Sequence, residues 1–203
     1  MEKFKELSEE KQQPIIEAAL KCFGKYGYKK ASMGDIAKSG GVSKPMLFHY
    51  FGTKRDLYLY LSEYVSNVMT DAYKRNKIDV CSDLFERITE ASRMKMGILE
   101  RYPHILNFII SMFEETDEEV IDITKKIMPK ARQFSYDLVV KKEDAAKFKD
   151  GVDIDAVMRL LFLMAEGYVY EISDGRCDLE KITEELEKTI HMLKNNLYKE
   201  EYL

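Results

Sequence analysis

The sequence predicts an all-α protein. Apolar residues recur at three- and four-residue spacing through most of the chain, and strand signals are scarce. Only 10 glycines and 4 prolines punctuate 203 residues. Hydrophobic residues make up 45%, enough for a real core and too many for disorder.

The first helix is expected over Ser8–Tyr26, with Ile15, Ile16, Ala19, Leu20 and Phe23 as its apolar stripe. Gly24 and Gly27 are expected to loosen and end it, and Phe23 and Tyr26 to lie in the core. Ser32 then reads as an N-cap, with Asp35 three residues on as a capping-box partner. Ile36 and Ala37 are the apolar pair of a short helix that Gly40-Gly41 stops, because glycine takes left-handed backbone angles at little steric cost. Ser43 caps the next helix, and Pro45 sits in its first turn, where a missing N–H costs nothing. Leu47 and Phe51 fall at i and i+4, so both face inward. Gly52 ends this helix, and Thr53 with Asp56 caps the following one, which runs to about Arg75.

Beyond the polar run Lys74–Asp79, helices are expected over Asp83–Tyr102, broken by Pro103, and over Ile105–Phe113, apolar on nearly all sides. Another runs from about Glu118 toward Val140, with Pro129 as a kink or break. After a charged loop over Lys141–Gly151 come Asp153–Ser173, the most hydrophobic helix, stopped by Gly175, and a last helix capped by Asp178. These make about nine helices.

A helix, a glycine turn and a second helix form the helix-turn-helix pattern. The outward face of the second helix holds Lys44, Pro45, Met46, Phe48, His49 and Tyr50 and has no acid. Cations, hydrogen-bonding aromatics and apolar contacts together suit a DNA groove, where phosphates want donors and thymine methyls want apolar partners. The alternative is a polar-aromatic helix packed under another domain.

The stretch from about Pro14 to Leu61 closely resembles the DNA-binding part of the TetR (tetracycline repressor) family. The resemblance rests on IIEAALKCFGKYGY, S-x-x-x-IA, GVSK-x-x-L-x-HYF and the trailing K-x-x-L. It implies a three-helix helix-turn-helix DNA-binding domain over residues 1–60 and a helical ligand-binding and dimerisation domain over 61–203. It further implies that Pro45, Met46 and Phe48 lie where bases are contacted. Lys44 reaches base edges or phosphate, and Ser32, Ser43, His49, Tyr50 and Lys54 complete the DNA set, mostly as phosphate ligands. Met46 and Phe48 replace the small residue and tyrosine of many relatives, and Gly34 replaces a long polar side chain of some. The direct base code is therefore thin.

Charge is divided unevenly. Residues 1–60 hold 11 Lys and Arg against 7 Asp and Glu, a net of +4; the remainder holds 21 against 29, a net of −8. A basic amino-terminal part on an acidic body suits a nucleic-acid reader. The longest apolar run, near Leu160–Ala165, is far too short to span a bilayer, and the charged start MEKFKELSEEKQQ is no signal peptide. A cytoplasmic location is expected. Cys22, Cys81 and Cys177 are scattered, as are His49, His104 and His191, so neither a disulfide framework nor a metal site is read here, and no cofactor is expected. No nucleophile–base set or phosphate loop argues for an enzyme.

Two consecutive carboxy-terminal helices with broad apolar faces invite a second copy, a homodimer through a four-helix bundle. The candidate interface is Arg159, Leu163, Ile182, Leu186, Ile190 and Leu193. The family resemblance also implies a small hydrophobic effector inside the helical body, for which Met94, Phe108, Met112, Phe134, Phe162 and Glu166 are candidate contacts. Arg159 and Glu166 lie seven residues apart on one face of the most apolar helix; they either pair across the dimer or orient a charged ligand, and the interface reading is preferred. The expected function is a ligand-responsive repressor of a palindromic operator. The alternative is a non-specific structural DNA-binding protein without an effector.

Overall fold

The computed structural model describes residues 2–76, 78–173, 176 and 178–203. The helix stop expected at Gly175 and the thiol of Cys177 lie outside these residues. Ten α-helices run through them: α1 (Glu2–Lys5), α2 (Glu9–Lys30), α3 (Met33–Ser39), α4 (Lys44–Phe51), α5 (Lys54–Asn76), α6 (Leu84–Arg101), α7 (Pro103–Phe113), α8 (Ile121–Val139), α9 (Ile154–Ser173) and α10 (Leu179–Leu197). The tenth, beyond the nine expected, is α1. Among the described residues there is no strand; a single antiparallel bridge pairs Phe148 with Tyr198.

The chain forms two compact units, Met1–Val68 with Tyr102–Pro129, and Met69–Arg101 with Lys130–Leu203. In the first, α2 packs on α3 and α7, and α3 on α4. Ile15, Ala19, Phe23, Ile36, Leu47, Leu57 and Tyr58 fill its core. Each large apolar side chain of this kind contributes roughly 1.5–3 kcal/mol by leaving water. Gly24 does not loosen α2. A Cβ there would meet the backbone of Asn107 and Phe108 at 2.9 Å, so the missing side chain lets α7 approach. Gly27, with φ +66°, breaks the helical path. The chain then turns Tyr28, not Tyr26, inward: Tyr28 is 2% exposed and Tyr26 48%. Tyr26 instead lies beside Lys25, whose Nζ sits 5.1 Å from its ring centre.

In the second unit Leu84, Phe85, Ile88 and Ala91 of α6 pack with Val157, Met158 and Leu161 of α9 and Leu186 and Ile190 of α10. Arg87 lies within this apolar stripe with no exposed side-chain surface. It donates to Val139 O at 2.7 Å and Cys81 O at 2.8 Å and pairs with buried Asp144. A buried guanidinium is tolerated because its donors are met; removing its carboxylate partner would cost about 3–5 kcal/mol. Helix α8 continues through Pro129 rather than breaking there. The proline removes one ladder bond, and the helical turns on both sides persist.

Candidate nucleic-acid interface

The site is built from α3, a tight turn and α4. Asp35 N donates to Ser32 Oγ at 3.4 Å, capping α3. Gly40 N reaches Ile36 O at 2.8 Å, and Val42 N reaches Ala37 O at 3.0 Å. Between them Gly41 has φ +73°, a left-handed angle that costs a side-chain-bearing residue about 1–2 kcal/mol. Met46 N then donates to Ser43 Oγ at 3.2 Å, capping α4. The Ser43 hydroxyl is thus engaged within the fold.

Leu47 and Phe51 are buried and fix which side of α4 faces out. Lys44, Pro45, Met46, Phe48 and His49 are exposed, and Tyr50 is half-buried. Met46 and Phe48 stay 43% and 37% open to solvent, an unusual place for large apolar side chains on a helix of eight residues. A Cβ on Gly34 would lie 4.0 Å from Lys44 Cδ and 3.5 Å from Ser32 Oγ, so the starts of α3 and α4 come together around a glycine. His49 Nε2 lies 3.2 Å from Lys3 Nζ; the lysine donates, so this imidazole nitrogen accepts.

Lys54 sits differently from the sequence expectation. Its Nζ donates to Tyr28 O at 3.0 Å and Lys29 O at 3.4 Å and lies 4.3 Å from the Tyr28 ring centre. It closes the end of α2, where carbonyls lack helical partners. Around it runs a polar set that sequence reading missed. Tyr28 N donates to Glu115 Oε2 at 2.9 Å, and the Tyr28 hydroxyl to Glu119 Oε2 at 2.6 Å. Arg55 reaches Glu119 O and Asp122 Oδ2, both at 2.7 Å. Burial, followed by Glu119, pushes the Tyr28 hydroxyl well above its ordinary range; Arg55 holds the Asp122 carboxyl below its own. The partners are 87 and 91 residues apart, a separation at which sequence carries no signal.

The candidate effector contacts are distributed over both units. Phe108 and Met112 are buried in the first unit, Phe108 with its ring 5.2 Å from that of Tyr58. Met94 and Phe162 pack half-buried on the core of the second unit, and Phe134 is exposed beside Tyr73, ring centres 5.5 Å apart. Glu166 pairs with Arg132 of the same chain, whose guanidinium lies 5.8 Å from the Phe162 ring centre. Within the chain, Glu166 thus has a partner that spacing did not suggest, and Arg159 is exposed on the same helix.

The candidate interface divides too. Ile182, Leu186 and Ile190 are buried within the chain's own fold, where α10 packs on α6, and Leu193 is half-buried on the same core. Ile182, Leu186 and Ile190 therefore line the core of their own unit, while Leu193 keeps part of its surface open. Arg159 and Leu163 are exposed on α9, with Leu160 and Tyr170 beside them at helical spacing.

Residues 15–61 match the model of the bacterial regulatory proteins, tetR family. The HTH-type transcriptional repressor AcnR of Corynebacterium diphtheriae is 22% identical over 188 residues, 89% of this chain and 91% of the relative. A protein from Saccharomonospora viridis, solved in complex with choline, superposes with a TM-score of 0.73 at 16% identity, covering 95% of this chain and all of its own. The regulator FadR of Bacillus subtilis, solved in complex with stearoyl-CoA, gives a TM-score of 0.69 at 17% identity, over 88% of this chain and 96% of FadR. At these identities the structural likeness is one of fold.

Proposed function

This chain belongs to the TetR family of transcription regulators, and on that premise we propose that it binds a palindromic operator as a homodimer and is released by a small hydrophobic ligand. The DNA-binding part is residues 1–60 and the effector and dimerisation part 61–203. The observation that carries the reading is the outer face of α4: a cation, open apolar side chains and a histidine, with no acid, on a helix locked from behind by Leu47 and Phe51.

In this proposal α4 lies in the major groove, and two copies address half-sites about one turn of DNA apart or somewhat more. Lys44 donates to a base edge or phosphate; Pro45, Met46 and Phe48 touch thymine methyls; Ser32, His49 and Tyr50 hold phosphates. Ser43 acts through its cap. Lys54 contributes its charge while holding the end of α2. A ligand bound in the helical body favours a tilt of α5 that moves the two reading helices out of groove spacing. Met94 and Phe162 are its proposed apolar contacts, and the neutralising Arg132–Glu166 pair favours an uncharged or amphipathic ligand. Leu160, Leu163 and Tyr170 of α9 meet the second copy. No helix among the described residues is long and apolar enough to cross a membrane, in keeping with the proposed cytoplasmic location.

Selection of binding sites from a random duplex pool, followed by titration at fixed salt, tests the reading. A palindromic consensus bound at least about 1,000-fold more tightly than random duplex supports it. Equal affinities would establish the alternative, a non-specific structural DNA-binding protein. Lys44→Ala is expected to weaken the selected site by about 1–3 kcal/mol. Stearoyl-CoA and choline are the first effector probes.

A further inference from the structure

We propose that the amino-terminal segment Glu2–Lys5 is part of the DNA-reading surface: Lys3 is a phosphate ligand beside His49, and Phe4 is the positioning residue that fixes the end of the reading helix. The inference rests on the DNA-binding reading above and extends it to an element that the matched family segment, residues 15–61, does not include.

A four-residue helix is too short to be stable on its own. This one does not stand free. Phe4 has no exposed surface, and its ring lies 4.6 Å from that of Phe51, 5.7 Å from Tyr50 and 5.3 Å from Tyr60. Tyr50 and Phe51 are the last two residues of α4, so the plug sets where that helix ends. The Gln12 side chain donates to Leu7 O at 2.6 Å and to Lys5 O at 3.4 Å, tying the segment to α2.

The same anchoring places a cation. With Phe4 buried, Lys3 projects onto the exposed side of α4, its Nζ 3.2 Å from His49 Nε2. Among the described residues no carboxylate pairs with it. The Lys3 amine meets an imidazole nitrogen rather than a carboxylate, on a helix with no acid, and so stays available to an incoming anion. A phosphate oxygen arriving between Lys3 and His49 takes the Lys3 amine as its donor in place of the imidazole nitrogen. A segment with a purely structural role would need Phe4 and would not need Lys3.

Binding to a random duplex of about 30 base pairs, followed from about 50 to 200 mM salt, separates the two roles without knowledge of the operator. For Lys3→Gln, the slope of log K against log salt is expected to become shallower by roughly 0.9 for each phosphate left without its cation. Lys142→Gln, which removes a surface charge in the second unit, is expected to leave the slope unchanged. Phe4→Ala is expected to lose at least tenfold in affinity and the same slope increment, and Phe4→Leu to recover both. An unchanged slope for Lys3→Gln overturns the phosphate role of Lys3. Unchanged affinity for Phe4→Ala, with the chain folded by circular dichroism, overturns the positioning role. Wild-type protein that shows no salt-dependent DNA binding refutes the DNA reading itself, a result distinct from either.

Discussion

Met46 and Leu47 are neighbours in sequence with opposite fates. Leu47 has no exposed surface, while Met46 stands 43% open. Substituting them separates folding from recognition. Leu47→Ala leaves a cavity behind α4 and is expected to cost about 2–5 kcal/mol in urea unfolding. Met46→Ala is expected to change unfolding by less than about 0.5 kcal/mol while altering preference at a thymine position of the selected site. The i, i+4 spacing of Leu47 and Phe51 made the inward face legible. Other residues were not. The exchange of Tyr26 for Tyr28 depends on the φ of Gly27, and the engagement of Lys54 depends on carbonyls 25 and 26 residues away. Arg87 looks like a surface residue by type and becomes a core residue because Asp144, 57 residues on, and the carbonyls of Val139 and Cys81 meet its donors.

Elements are where local chemistry speaks most clearly. Ser32, Ser43 and Thr53 each cap a helix as the sequence predicts, because an N-cap needs only a hydroxyl three residues before an orphan amide. The start of α6 adds a case that spacing does not reveal. Asp83 Oδ1 accepts from Glu86 N at 3.1 Å, and Lys194 and Lys147 approach its carboxylate to 3.4 and 3.7 Å. Burial alone would raise this carboxyl; the Glu86 amide and the two lysines outweigh burial and hold it below the ordinary range. A depressed folded value means that the contribution to stability is present above the ordinary carboxylate value, about 4, and is lost as pH falls through the folded one. Urea midpoints are therefore expected to drop between about pH 5 and 2, and Asp83→Asn to flatten that drop while lowering stability near pH 7. Equal pH dependence of the two proteins would refute the assignment. The apolar stripe of α10 was equally legible as a stripe, but its partner was not: α6 of the same chain covers it.

At the scale of the molecule, burying that stripe internally leaves α9 as the face proposed to meet a second copy. Leu160, Leu163 and Tyr170 present three large apolar side chains to solvent. Leu163→Glu is expected to give a monomer by sedimentation at micromolar concentration and to lower affinity for a palindrome far more than for a half-site. A dimer that survives this substitution would place the interface elsewhere. The unequal charge, +4 in the first 60 residues and −8 in the rest, directs polyanions toward the amino-terminal part.

The sequence by itself determined the helices from α2 onward, the serine and threonine caps around α3 to α5, the glycine turn and the outward face of α4. Each depends on residues within one or two turns of one another, where spacing and side-chain chemistry suffice. Only the tertiary structure decided which apolar stripe stays inside, that Glu166 belongs to Arg132, that Lys54 holds the end of α2, and that Phe4 locks onto the end of α4. Those outcomes depend on which distant groups the folded chain brings together. Periodicity gives each helix a face but does not say what will cover it.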